Sequence, residues 1–154
     1  MSILLISRSE EKLKEQSLQL KSQFNVPVKY LVYNFTDGGA ERKRFYGDIL
    51  SGVLTELHQN GGIGLLVNNV GVANLHPIAL EEQTDADVDD MLHCNIMSVV
   101  DMTRAVIGLM KERKAGGIIS ISSGSGNGPS SFLSLYSATK CVNMLPVSSL
   151  AVWL

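Results

Sequence analysis

An α/β fold with a parallel, doubly wound sheet is what this sequence predicts, and three observations carry the prediction. Short apolar runs alternate with longer amphipathic stretches from one end of the chain to the other. No pair of runs is joined by a tight hairpin signal such as Asn-Gly between alternating residues, so consecutive strands are expected to run parallel. Ile63–Val67 is apolar almost without interruption, the pattern expected of a parallel strand covered on both faces.

The elements follow in order. Ile3–Ile6 is a short apolar run expected to be a strand. Ser7 with Glu10 forms a capping-box start, which predicts a helix to about Phe24 with Leu13, Leu20 and Phe24 on one face. Val28–Tyr33 is the next expected strand. Residues 40–58 place Phe45, Ile49, Val53 and Leu57 at intervals of four, an amphipathic stripe. Gly61-Gly62-Ile63-Gly64 precedes a strand and predicts a tight turn. Thr84 can cap a long helix to about Arg113, with Val88, Met91, Leu92, Ile96, Val99, Thr103, Val106 and Met110 inward. Ile118–Ile121 is the last clear strand, and a helix is expected from about residue 135 to 145. Pro146 falls where that helix would continue, at a cost of about 3 kcal/mol. The chain shows no internal repeat and no low-complexity linker.

Composition excludes several classes of function. A chain of 154 residues, 45% hydrophobic and 6% aromatic, suits one domain with a sizeable core. Its formal net charge of −2 offers no reason to expect nucleic acid or an anionic membrane surface as a partner. Cys94 and Cys141 have neither a metal-site spacing nor a disulfide framework, so two buried thiols in a reducing compartment are expected. His58, His76 and His93 occupy unrelated contexts, and no metal is expected. The sequon Asn34-Phe35-Thr36 would matter only in a secreted chain, and Met1–Ile6 is too short for a signal peptide. The apolar tail, residues 141–154, is shorter than the roughly 20 residues that span a bilayer.

Chemistry concentrates near the end of the chain. In Tyr136-Ser137-Ala138-Thr139-Lys140 the phenol and the amine lie four residues apart, neighbours on one helix face. At roughly 4 Å and an effective dielectric near 20 the ammonium would attract a phenolate by about 4 kcal/mol, which equips the phenol for proton exchange. Ser123, in Ile119-Ser120-Ile121-Ser122-Ser123-Gly124, is expected to end a strand thirteen residues earlier, and its hydroxyl could bond the same substrate oxygen. Ser122 and Ser125 are expected to be structural neighbours. Gly124-Ser125-Gly126-Asn127-Gly128 follows a strand as a phosphate loop should. The third glycine of a G-x-G-x-x-G turn, however, would fall at Pro129, and the reading fails.

Together with Leu66-Val67-Asn68-Asn69-Val70-Gly71 and with Asn95 in His93-Cys94-Asn95-Ile96-Met97, these residues resemble the short-chain dehydrogenase/reductase family. That family is marked by an Asn-Asn-x-Gly turn and a Ser, Tyr-x-x-x-Lys and Asn tetrad. With Leu5-Ile6-Ser7-Arg8-Ser9-Glu10-Glu11-Lys12-Leu13 added, the chain is similar to one branch over about residues 3–142. The branch contains 17β-hydroxysteroid dehydrogenases of types 3 and 12 and very-long-chain 3-oxoacyl-CoA reductases.

The resemblance implies a single partial Rossmann-like domain, 1–154, and NADP(H) as cofactor. Arg8 would meet the adenosine 2′-phosphate, which a planar guanidinium suits. Asn34 stands where relatives usually carry an Asp beside the adenine. Asn68, Val70 and Gly71 would run their backbone along the adenosine and ribose, and Lys140 would hold the nicotinamide ribose beside Tyr136. The implied reaction reduces a ketone: Tyr136 donates the proton, Ser123 polarises the oxygen, Lys140 tunes the phenol and Asn95 holds a relay water. The implied substrates are 3-oxoacyl-CoA thioesters of fatty-acid elongation, with 17-keto steroids second.

In the order 3-2-1-4-5-6 the resembled fold has a first strand, with its Gly-rich pyrophosphate turn, ahead of the strand that opens this chain, and further strands after the last one here. Two strand pairs with a gap are therefore expected, and with them an alternative reading as an inactive partial domain that at most binds a related subunit. A nucleotide-sensing or scaffold protein is a weaker third reading, since the whole tetrad is present. Pairing with a second copy through residues 84–113 and the Tyr136 helix is conceivable. The branch is anchored to the endoplasmic reticulum membrane. Without an anchor or signal, the residues given would by themselves be cytoplasmic.

Overall fold

The computed structural model describes residues 2–128 and 130–143. The helix break expected at Pro146 and the tail beyond Asn143 lie outside them. Contacts divide the chain into two compact units, Met1–Phe35 and Thr36–Leu154.

The first unit is one β-α-β turn of chain. Strand β1, Ile3–Ser7, and strand β2, Val28–Val32, pair in parallel with Ile3 opposite Val28 and Ser7 opposite Val32. Parallel strands need a crossover connection, and helix α1, Glu10–Phe24, supplies it. The cap of α1 is Ser9 and not Ser7: the Ser9 hydroxyl accepts from the Lys12 N–H at 3.4 Å. Ser7 is instead consumed by the strand, its carbonyl accepting from the Tyr33 N–H at 3.0 Å. Leu13 is buried as expected, but Phe24 at the helix end is exposed. Asn25 ends the helix in the left-handed region, φ 51°, with its N–H on the Lys21 carbonyl.

In the second unit, helix α2 (Gly39–Arg44) runs through a π-helical turn, Phe45–Leu50, into helix α3 (Ser51–Gln59). The π turn corrects the expected stripe. An i→i+5 turn adds a residue to the repeat, so the buried set is Phe45, Leu50 and Leu54, while Ile49 is exposed. Gly61 and Gly62, with φ of 110° and 79°, make the predicted turn.

Strand β3, Leu65–Asn68, pairs in parallel with β4, Gly117–Ser120. The double cover expected of residues 63–67 is not met among the described residues. Leu66 and Asn68 point inward, whereas Leu65, Val67 and Ile119 are exposed on the other face. Between the strands, helix α4 (Asp85–Leu92), a second π turn (His93–Met97) and helix α5 (Ser98–Arg113) form the long predicted helix with its predicted ends.

Thr84 caps α4 through a reciprocal box with Asp87. The Asp87 N–H donates to the Thr84 hydroxyl, and the Thr84 hydroxyl and N–H donate to the Asp87 carboxylate at 2.6 and 3.2 Å. Those bonds, the hydroxyl first, hold the Asp87 carboxyl below its ordinary range, so this contribution to the cap is present near neutrality and lost as the carboxyl protonates in acid.

The core lies between these elements: Phe45, Leu50 and Leu54 from the α2–α3 run and Met91, Cys94, Val99, Met102, Val106 and Met110 from the long helix. Leu92, expected inward, is exposed. Arg42 and Asp101 bridge α2 and α5 with two hydrogen bonds of 2.6 and 2.9 Å, the fork geometry that suits guanidinium and carboxylate. The two thiols part company: Cys94 is buried, but Cys141 is exposed. No described helix is long and apolar enough to cross a membrane.

Candidate active site

Helix α6, Ser134–Val142, carries Tyr136 and Lys140. One helical turn apart, they meet as the spacing requires: the Lys140 ammonium lies over the Tyr136 ring, 5.8 Å from its centroid. Lys140 is only 4% exposed. A buried ammonium needs acceptors, and among the described residues the Ile121 carbonyl accepts from it at 3.5 Å. Ile121 in turn donates its N–H to the Asn68 carbonyl at 2.8 Å, so the ends of β3 and β4 together set the place of the amine.

Gly71 faces the same amine. A Cβ at this position would come within 2.8 Å of Lys140 Nζ and 3.4 Å of Asn95 Oδ1. The turn after β3 therefore approaches Lys140 as closely as only a glycine allows. Asn68 has a structural part: its side chain is buried and donates to Thr103 Oγ1 and Ser120 Oγ at 3.4 and 3.3 Å, joining β3 to α5 and β4. Its main chain, with Val70 and Gly71, forms the rim of the turn.

Asn95 sits in the π turn between α4 and α5, fully buried at 0% exposed. Its Oδ1 accepts from the Val72 N–H at 2.8 Å. Its Nδ2 donates to the Val72 carbonyl at 2.8 Å and to Thr139 Oγ1 at 3.0 Å. Both amide protons are thereby used. The Asn95 side chain is thus a clamp on the turn that contains Gly71.

Ser123 lies three residues beyond β4 and does not end the strand as expected. It caps the short 3-10 turn Gly124–Asn127. Ser125 donates to its hydroxyl from the N–H at 3.4 Å and from Oγ at 3.0 Å. Ser122 donates to the Lys140 carbonyl at 2.6 Å, and Gly126 packs so tightly that a Cβ would meet the Lys140 carbonyl carbon at 3.0 Å. The glycine cluster that failed as a phosphate loop is thus a seat for α6. Replacing Ser122 by Ala is expected to lower stability by about 1 kcal/mol, the worth of one part-buried hydrogen bond, as read from the urea unfolding midpoint.

Asn95, Gly71, Tyr136 and Lys140 are therefore brought together in the second unit, with Ser123 on the loop beside α6. Arg8, exposed just after β1, and Asn34, just after β2, belong to the first unit. The sequence did not reveal Thr139 and Val72 as members of the network, whereas Ser122 is the structural neighbour expected. For Thr139 a signal existed, since a hydroxyl three residues after Tyr136 can reach its carbonyl.

The short chain dehydrogenase family matches residues 1–152. A very-long-chain 3-oxoacyl-CoA reductase of Anas platyrhynchos is 40% identical over 142 residues, which are 91% of this chain and 43% of that protein. A 17-beta-hydroxysteroid dehydrogenase type 3 of Danio rerio is 34% identical over 143 residues, 91% of this chain and 43% of that one. This chain thus spans less than half the length of these relatives. Among solved structures, a short-chain dehydrogenase from Sphingobium yanoikuyae in complex with NADPH superposes with a TM-score of 0.80 at 23% identity, over 98% of this chain and 55% of that one. With the motifs, the site and the family agreeing, the chain belongs to the short-chain dehydrogenase family.

Proposed function

We propose that this chain carries the catalytic part of an NADPH-dependent ketone reductase acting on 3-oxoacyl-CoA thioesters, with 17-keto steroids as the second substrate class. The observation that carries the reading is the buried Lys140 ammonium, held over the Tyr136 ring and against the Gly71 turn. The names of the relatives support the substrate classes, and the exposed apolar side chains of Leu75, Leu80 and Phe132 suit a substrate with a hydrocarbon body.

The residues fit a dinucleotide. The glycine at 71 leaves a cradle that a Cβ would fill, and Lys140 brings three N–H donors of which the described residues engage one. The main chain of Asn68, Val70 and Gly71 would run along the adenosine and ribose, and Lys140, beside Tyr136, would hold the nicotinamide ribose. Arg8 and Asn34 would meet the adenosine, with Arg8 selecting the 2′-phosphate. When bound, the dinucleotide supplies the hydride.

The chain's own groups handle the proton and the charge. Tyr136 gives its hydroxyl proton to the substrate oxygen, and the Lys140 ammonium stabilises the phenolate left behind. Ser123, whose hydroxyl accepts both bonds from Ser125, would donate its own proton to the same oxygen. Asn95 keeps the turn at 70–72 fixed against α6. Location at the endoplasmic reticulum membrane and pairing with a second copy, both implied by the resemblance, belong to the same proposal.

A second reading, an inactive partial domain that at most binds a related subunit, is favoured by the exposed face of the β3–β4 pair. One experiment separates them. The purified chain is titrated with NADPH and with NADH, and NADPH oxidation is followed with a 3-oxoacyl-CoA and with a 17-keto steroid. Micromolar binding of NADPH in preference to NADH, with oxidation driven by the thioester, is the expected result. Absence of binding and of turnover would leave the second reading standing.

A further inference from the structure

Tyr136 and Lys140 share one helix, so their mutual spacing is set by α6 itself. The seat of α6 against the turn at 70–72 is set by other bonds. On one side Ser122 holds the Lys140 carbonyl at 2.6 Å. On the other side, the contact to the turn runs through Thr139, 1% exposed, whose hydroxyl accepts from Asn95 Nδ2 at 3.0 Å and donates to the Tyr136 carbonyl at 2.7 Å.

A threonine hydroxyl has one proton to give. With that proton on the Tyr136 carbonyl, the lone pair facing Asn95 is fixed in direction. Asn95 then has both protons spent, on Val72 and on Thr139. The result is a directed chain from the Val72 main chain through the Asn95 amide and the Thr139 hydroxyl to the backbone of Tyr136. Its middle, the bond from Asn95 to Thr139, is buried, where such bonds are stiffest.

We propose that Thr139 is a positioning residue for reduction: its hydroxyl ties the Tyr136 helix to Asn95 and, through Asn95, to the turn that carries Gly71. Thr139 touches neither substrate nor cofactor. It acts by keeping the phenol in register with the carbonyl to be reduced. This inference rests on the reductase reading above.

The test compares Thr139→Val, Thr139→Ala and Thr139→Ser with the parent chain. kcat and KM for a 3-oxoacyl-CoA are measured at a temperature where circular dichroism shows each variant folded. The valine is nearly isosteric but has no hydroxyl. Alanine and serine both lose the methyl group and differ only in the hydroxyl, so their comparison stands even if the valine variant does not fold. A displaced phenol should lower kcat about thirtyfold in the valine and alanine variants with KM changed less than about threefold, because misplacement of roughly 1 Å weakens the reacting geometry more than binding. Serine should retain kcat within about threefold of the parent on the same grounds.

Equal kcat in the alanine and serine variants, or a loss confined to KM, overturns the assignment. So does failure of both hydroxyl-less variants to fold, which would make the bond structural. A parent chain without turnover overturns the reductase reading and this inference together, whereas an active parent with unaffected variants overturns this inference alone.

Discussion

Tyr136→Phe is expected to lower kcat for ketone reduction by about 10²–10⁴-fold, the usual worth of a positioned general acid. The substitution removes one oxygen and leaves the ring. The ring is what the Lys140 ammonium overlies at 5.8 Å, so the amine should stay where it is. The α6 bonds that involve residue 136 use its carbonyl and not its side chain, so the helix should keep its seat. Thermal stability and NADPH binding should change little, and the loss should lie in kcat more than in KM. NADPH oxidation with a 3-oxoacyl-CoA checks it, and undiminished turnover would discard Tyr136 as the proton donor.

Gly71→Ala is the second large effect, and its size comes from a contact and not from backbone freedom. Gly71 is not among the glycines with positive φ, so alanine is free to adopt its backbone conformation. On that ground alone the substitution would stabilise the chain by about 0.4–1 kcal/mol through the unfolded state. The new Cβ, however, would stand 2.8 Å from Lys140 Nζ and 3.4 Å from Asn95 Oδ1. The nearest atom is the end of a flexible side chain and can move at small cost. The atom that moves is the amine over Tyr136.

Near-parental stability with kcat lowered roughly tenfold to a hundredfold is therefore expected, since displacement of a catalytic group by about 1 Å costs that much. Thermal unfolding and steady-state kinetics on the same preparation check it. A collapse of stability would show that the glycine serves the fold alone, and parental kcat would show that the amine does not matter where it sits.

How much of this could be read from the chain follows the range of each interaction. The Thr84 cap and the span of the long helix to Arg113 were legible, because caps and periodicity are local. So was the Tyr136–Lys140 pair, since four residues on a helix is one turn. The cap of α1 was misplaced by two residues because Ser7 and Ser9 are both able caps, and only the pairing of β1 with β2 decides which serine remains for the helix.

Both π turns were invisible. A π turn inserts one residue into an unbroken helix, and no local propensity announces it. One of them rotated the buried stripe from Ile49 to Leu50. The other places Asn95 within reach of Val72 and Thr139.

By itself, then, the order of residues determined the class of fold, the two helix-borne groups one turn apart, and the Asn-Asn-x-Gly turn through which the family is recognised. Tertiary structure alone decided that the Asn95 amide is spent as a clamp, that a side chain at 71 would displace the Lys140 amine, and that Ser122 and Gly126 seat α6. The reason is physical. Caps and turns are fixed by neighbours a few residues away, whereas a buried amide or ammonium must find its partners wherever the fold brings a carbonyl, and those partners lie between 19 and 44 residues off along the chain.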